Sequence, residues 1–210
     1  MATIPRVKNN FTDYLYNMAD TEIRSITNPE LRVDLENRTV EGYAVVFDSL
    51  SEDLGFYETI HRGAITDDVI NNSDVFARFN HDSEKILARS KKGKGSLKLS
   101  VDERGVKYAF KAPKTNLGNE LLEYLERGDI TASSFAFTID PNDKDAEKWS
   151  NRDGKLYRDI YHINRLYDVA PVFSPAYEAT TCSKRFDEIK ATADEINGIL
   201  NAIKSEIDSL

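Results

Sequence analysis

The segment TVEGYAVVF, residues 39–47, alternates with a two-residue period and is apolar on both faces: Tyr43, Val45 and Phe47 on one, Ala44 and Val46 on the other. A strand of that kind has to lie inside a sheet, with partners on both edges and cover on both faces. Related segments recur along the chain. EIRSI precedes it, and a loop, SLSEDLGFYETI, leads into a short strand after it. VFARFNH and KILARS follow, then SLKLSVDERGVKYAFKAP, which reads as a hairpin turning at DERG. ITASSFAFTI and LYRDIYHINRLYDVAPVF complete the set, the latter closed by Pro171 and Pro175, while residues 140–155 read as an exposed polar loop or hairpin tip. Two helices interrupt the strands. AITDDVINN is short, with Thr66 as N-cap. NLGNELLEYLERGD presents Leu117, Leu121, Leu122 and Leu125 on one face and stops at Gly128. The pattern predicts an α+β chain dominated by β structure, a mostly antiparallel sheet or barrel with a few flanking helices.

The tail differs. Ile189, Ile196, Ile203 and Leu210 recur every seven residues, and Ala193, Leu200 and Ile207 follow the first three by four. This predicts an amphipathic helix over 186–210, roughly 37 Å long at 1.5 Å per residue. The helix either packs on its own domain or meets a partner. Residues 1–21 read as an N-terminal arm, which leaves 22–185 as the main domain.

Charge narrows the function. The 36 acidic side chains outnumber the 28 basic ones, for a net charge of −8. That balance argues against a nucleic-acid partner, because phosphate binding needs clustered cations. The basic run at Lys91, Lys92 and Lys94 is broken by glycine and reads as a solvated turn. The longest uncharged apolar runs are only a few residues, so no membrane span is expected. The N-terminus lacks a secretory signal pattern. The one cysteine, Cys182, allows no internal disulfide and suits a reducing compartment. His61, His81 and His162 show no metal-ligand spacing, so neither metal nor cofactor is expected, and a metal nuclease built on Asn80-His81-Asp82 lacks companion ligands.

Three segments carry groups suited to nucleophilic catalysis. In VFARFNHD, Val75, Ala77, Phe79 and His81 share a parity, so His81 closes a strand either as a base or as a turn histidine bonded to Asp82 or backbone. In ITASSFAFTI, Ser133 shares a face with Phe135, Phe137 and Ile139, which belong in the core. Ser134 shares its face only with Ala136 and Thr138, which predicts an accessible hydroxyl; the plainer reading is an ordinary strand serine. In YHINRLYDVAP, His162 and Asp168 are both able to orient a base, and Asp168 reads equally as a strand-end turn residue. In one extended strand they would stand about 20 Å apart, so at most one serves the same site. No GxSxG elbow, SxxK or P-loop is present.

Taken in order, GYAVVF, DLG, GAI, ARFNHD, a LAR segment, DERGVKY, NLGNELLEYLERGDITASSFAF, a W…DG loop and DVAPVFSPAY resemble the maturation proteases of tailed-phage proheads, over about residues 40–182. The resemblance implies a fold of the herpesvirus-assemblin type and a serine endopeptidase that works inside an immature capsid in the host cytoplasm. Its substrates would be scaffold protein or a scaffolding segment of the major capsid protein, and the enzyme itself. It implies His81 as base, Ser134 as nucleophile and Asp168 as third member. Asp168 stands where Glu is usual, and Ala132-Ser133 where Gly-Met is usual, so Ser133 competes with Ser134. Assemblin-type relatives use a second histidine, which keeps His162 as an alternative, and Arg165 is a candidate oxyanion donor by its nearness to Asp168. The same resemblance implies a dimer, with the 186–210 helix as interface or scaffold tether. The competing expectation is a capsid-assembly or scaffold-binding module without catalysis.

Overall fold

The computed structural model describes residues 21–26 and 30–173. The arm predicted before Thr21, the helix predicted over 186–210 and Cys182 lie outside the described residues. In chain order the elements are β1 (Glu22–Ile26), β2 (Arg32–Asp34), β3 (Thr39–Val46), β4 (Tyr57–Ile60), α1 (Asp67–Asn72), β5 (Asp74–Arg78), β6 (Ile86–Lys91), β7 (Lys94–Gly95), β8 (Lys98–Val101), β9 (Gly105–Lys111), α2 (Asn116–Arg127), β10 (Ala132–Thr138), β11 (Glu147–Arg152), β12 (Lys155–Ile160) and β13 (Arg165–Val172).

These strands form three sheets, ordered β1-β10-β13-β5-β6-β7, β2-β3-β9-β8 and β11-β12-β4. Most strand pairs are antiparallel, as expected, whereas the alternative of a barrel is corrected. The pairs β13–β5 and β12–β4 are parallel, so two of the sheets are mixed. Among the described residues no sheet closes on itself. The six-stranded sheet ends at β7, a two-residue exposed strand, and at β1, which reaches the β11-β12-β4 sheet through side-chain ion pairs rather than a main-chain ladder.

β3 is interior, between β2 and β9, as its two apolar faces require. A register irregularity between Tyr43 and Val45 lets the adjacent Ala44 and Val45 both be buried. β9 packs tightly at its start: a Cβ on Gly105 would lie 1.9 Å from the Val45 carbonyl oxygen. Gly105→Ala therefore has to part β3 from β9, and a loss of about 1–3 kcal/mol is expected in denaturant unfolding.

Both helices begin where the sequence predicts. Thr66 caps α1 by accepting the Val69 N–H, and Thr115 caps α2 by accepting the Gly118 N–H. Gly128 ends α2 with φ 76°, a conformation that favours glycine. Leu121 and Leu122 join the core with Phe135, Phe137, Leu166 and Val169.

The segment LYRDIYHINRLYDVAPVF is not one strand. It breaks between Ile160 and Arg165 and passes from the third sheet to the first. The break is held by backbone bonds to other loops: His162 N–H to Ala146 O at 3.1 Å, Ile163 N–H to Ala64 O at 2.8 Å and Asn164 N–H to Thr138 O at 3.1 Å. Of the two readings of the polar segment 140–155, loop or hairpin tip, the structure shows the hairpin: the segment contributes β11, which pairs antiparallel with β12.

Candidate active site

β10 and β13 are neighbouring interior strands of the six-stranded sheet, and they bring the sequence candidates together. They pair antiparallel with Ser134 opposite Ala170 and Ala136 opposite Asp168. β13 runs parallel to β5, with Asp168 opposite Phe76 and Val169 opposite Ala77. Ser134 and Asp168 thus sit two pairs apart on neighbouring strands, on the same face of the sheet, and β5 leads directly into the turn that carries His81.

That turn delivers the imidazole differently from the parity argument. β5 stops at Arg78, so His81 does not continue the Val75–Ala77–Phe79 face. Asn80 and His81 take consecutive left-handed conformations, φ 53° and 58°. Each non-glycine residue there costs roughly 1–2 kcal/mol. The Asp82 N–H donates to Phe79 O at 3.1 Å, and the Asn80 N–H donates to Pro171 O at 3.2 Å, tying the turn to β13. The reversal folds the imidazole back over the sheet.

The resulting distances define a continuous chain. His81 Nε2 lies 2.5 Å from Ser134 Oγ, and His81 Nδ1 lies 2.7 Å from Asp168 Oδ1. Arg78 Nη1 donates to the other oxygen, Asp168 Oδ2, at 3.0 Å. The Asp168 side chain is 3% exposed and that of His81 15%. With its carboxylate on Nδ1, the ring presents Nε2 to the hydroxyl, the tautomer that a base for serine needs.

Ser134 itself corrects the expectation of an accessible hydroxyl: it is fully buried. Its strand is buried on both faces, and β1 pairs along its free edge with Ser25 opposite Ser134. The Ser134 hydroxyl also lies 2.8 Å from the Arg24 carbonyl oxygen, to which it can donate. One proton serves only one of the two acceptors, Arg24 O or His81 Nε2.

Parity does separate the two serines. Ser133 Oγ pairs with the Tyr108 hydroxyl at 2.8 Å on the opposite face of β10. Tyr108 is completely buried, and burial pushes its phenol well above the ordinary range, outweighing the Ser133 hydrogen bond. His162 does not approach the site. It is largely exposed and pairs with Asp143 at 2.8 Å. Arg165 is exposed, with its guanidinium against the Tyr167 ring. His61 pairs with Asp159 at 2.7 Å and stacks on Tyr161.

β1 is anchored by a buried charge cluster that the alternation of EIRSI concealed, because Glu22 and Arg24 are its inward residues. Arg24 binds Glu22 and Glu58, both at 2.7 Å. Arg158 binds Glu22 at 2.5 Å, Glu147 at 2.6 Å and Glu58 at 2.9 Å. Burial alone would raise the Glu22 carboxyl, but the hydrogen bonds and charges of Arg158 and Arg24 outweigh it and hold it at about 2.

A hydroxyl, an imidazole and a carboxylate linked in that order, on a β-rich frame, are the arrangement found in serine hydrolases. The chain matches the family model of the caudovirus prohead serine proteases over residues 25–195, and it belongs to that family. Among solved structures it is similar to the bacteriophage T4 capsid assembly protease, gp21, at 13% identity and a TM-score of 0.45, covering 74% of this chain and 98% of that one. No curated protein sequence matches it.

Proposed function

We propose that this chain is a serine endopeptidase that cleaves scaffold protein, or a scaffolding segment of the major capsid protein, and itself, during maturation of a phage procapsid. The hydrogen-bonded sequence Ser134–His81–Asp168 carries this reading, and membership of the prohead protease family supports it.

In the mechanism, His81 Nε2 takes the Ser134 proton as Oγ attacks the scissile carbonyl carbon. The resulting imidazolium is stabilised by Asp168 through Nδ1–H. His81 then gives its proton to the leaving amine, and the C–N bond breaks to leave an acyl-enzyme. Water, deprotonated by His81, releases the acid and restores the hydroxyl. Asp168 in place of a longer Glu suits this geometry, because β13 already brings the carboxylate within 2.7 Å of Nδ1.

Ser134 has no exposed surface, so a peptide reaches it only when the surrounding chain opens. β1 is the edge strand in contact with the hydroxyl, and its displacement would free the edge of β10 for an extended substrate. Residues 22–185 form the protease domain in this reading. The predicted arm (1–21) and C-terminal helix (186–210) are accessory elements, the helix serving dimerisation or scaffold attachment, and the protein works within the procapsid in the host cytoplasm.

The direct test mixes the purified chain with the scaffold and major capsid proteins encoded with it. Discrete fragments are expected on a gel, blocked by a serine-directed fluorophosphonate. Absence of any fragment from either protein, with both shown to be intact and soluble, contradicts the proposal. A second variant separates the serines. Ser133→Ala should keep cleavage while destabilising the fold by about 1–3 kcal/mol, because it leaves the buried Tyr108 hydroxyl without its partner. Thermal unfolding and the same gel check both halves.

A further inference from the structure

Arg78 holds none of the catalytic roles that the sequence suggests, yet it is the only arginine or lysine in contact with Asp168 among the described residues. The register explains its reach. Phe76 pairs with Asp168 across the parallel β5–β13 ladder, and Arg78 follows Phe76 by two, on the same face. Its guanidinium lies 5.2 Å from the centre of the Phe76 ring, and Arg89 covers that ring at 4.7 Å. Arg89 is in turn fixed by Asp74. The row Asp74, Phe76, Arg78 thus presents a guanidinium already packed against an aromatic ring. Arg78 Nε is buried without a hydrogen-bond partner among the described residues, so the fork is directed by Nη1 and Asp168.

We infer that Arg78 is a positioning residue: it holds Asp168 Oδ2 so that Oδ1 faces His81 Nδ1 and the imidazole stays aimed at Ser134. The inference rests on the proteolytic reading of Ser134, His81 and Asp168. Asp168 is nearly fully buried, and His81 and Arg78 divide its two oxygens. Without Arg78, Oδ2 would be a buried anionic oxygen lacking that donor, and the carboxylate would be free to turn. The cation also opposes protonation of the ring, since both compete for the same carboxylate charge.

Other charged groups around the turn are Asp74 on β5, Arg89 on β6, and Asp82, Glu84 and Lys85 beyond His81. The Arg89 hydrogen bond holds the Asp74 carboxyl below its usual range, and the Glu84 amide does the same for Asp82. Both stay ionised over the pH range in which a histidine titrates, so they are constant background.

The test compares wild type, Arg78→Gln and Arg78→Lys by two readouts. One is the nitrogen NMR titration of the histidine rings; the other is the pH profile of labelling by a fluorophosphonate. In Arg78→Gln, which removes the cation that competes for Asp168, the ring titration of His81 should move to higher pH, with His61 and His162 unmoved. The acid limb of labelling should move in the same direction, because a ring protonated to higher pH accepts the serine proton only at higher pH. Arg78→Lys keeps the charge and loses the planar fork, so it should hold the titration near wild type and slow labelling about threefold or more. A His81 titration in Arg78→Gln that superimposes on wild type, or a shift shared equally by all three histidines, overturns the inference. Should Arg78→Gln fail to fold, labelling of Arg78→Lys at the wild-type rate overturns it. A wild-type chain that takes no label on Ser134 at any pH counts against the protease reading, whereas the histidine titrations still decide the role of Arg78.

Discussion

Ser134→Ala should remove proteolysis while leaving a folded protein. A serine nucleophile has no substitute in this arrangement: with Oγ gone, His81 has nothing to deprotonate but water, and the acyl-enzyme route closes. Losses on the order of 10⁴-fold or more accompany removal of such a group. His81→Ala should fall to the same level, and the double variant should fall no further, because members of such a chain act as a unit rather than additively. The fold should survive, since replacing the hydroxyl by hydrogen leaves the packing of β10 against β13 intact. The assay is turnover of a capsid or scaffold protein by gel, with circular dichroism and thermal unfolding run in parallel. A Ser134→Ala protein that still cleaves at a tenth of the wild-type rate contradicts the assignment.

The second large effect concerns stability. Arg158 has the largest of the fully buried side chains and binds Glu22, Glu58 and Glu147 at once. Arg158→Met keeps much of the volume but takes a cation from the buried carboxylates of Glu22 and Glu58 and from the half-buried Glu147. Removing one partner from a buried ionic group costs about 3–5 kcal/mol. At the usual scaling for a domain of this size, that is a fall of roughly 6–20 °C in melting temperature. Arg158→Lys should lie between, since an ammonium keeps the charge without the planar fork. A loss under about 1 kcal/mol for Arg158→Met would show that the cluster is near neutral in its contribution.

The same cluster predicts an acid dependence. Glu22 titrates at about 2 in the fold against an ordinary value of 4.5. A carboxyl with a lowered native value stabilises fully above its unfolded value and loses that contribution as pH falls toward the native one. The Glu22 contribution is therefore complete above about 4.5 and is lost between there and about 2. Glu22→Gln should flatten the stability profile in that window and leave its shape above pH 5 unchanged.

These charged residues also mark where sequence reading loses its grip. Alternation assigns apolar side chains to the inside, and EIRSI inverts that rule because Arg158, Glu58 and Glu147 arrive from strands far away in the chain. No local pattern encodes such pairing. The helix cap at Thr66 and the stop at Gly128 were legible because each is decided by a few neighbouring residues. The separation of Ser133 from Ser134 was legible for a similar reason: strand parity is local and survives in β10. The parity of His81 was not, because the chain leaves β5 at Arg78 and turns through two left-handed residues. Burial of Ser134 was missed because it depends on β1 as an edge partner. Arg78 carried a faint signal, a cation inside the otherwise apolar VFARF, but its target lies on a strand 90 residues later. The break at His162 to Asn164 was hidden by continuous strand-like composition on both sides.

The most direct measurement of the central claim is peptide mapping by mass spectrometry after reaction with a fluorophosphonate. The account predicts one modified residue, Ser134, in the wild-type chain. The adduct should disappear in His81→Ala and form much more slowly in Asp168→Asn. A label on Ser133 or on any other serine, with Ser134 unmodified in a chain that cleaves capsid or scaffold protein, would contradict it.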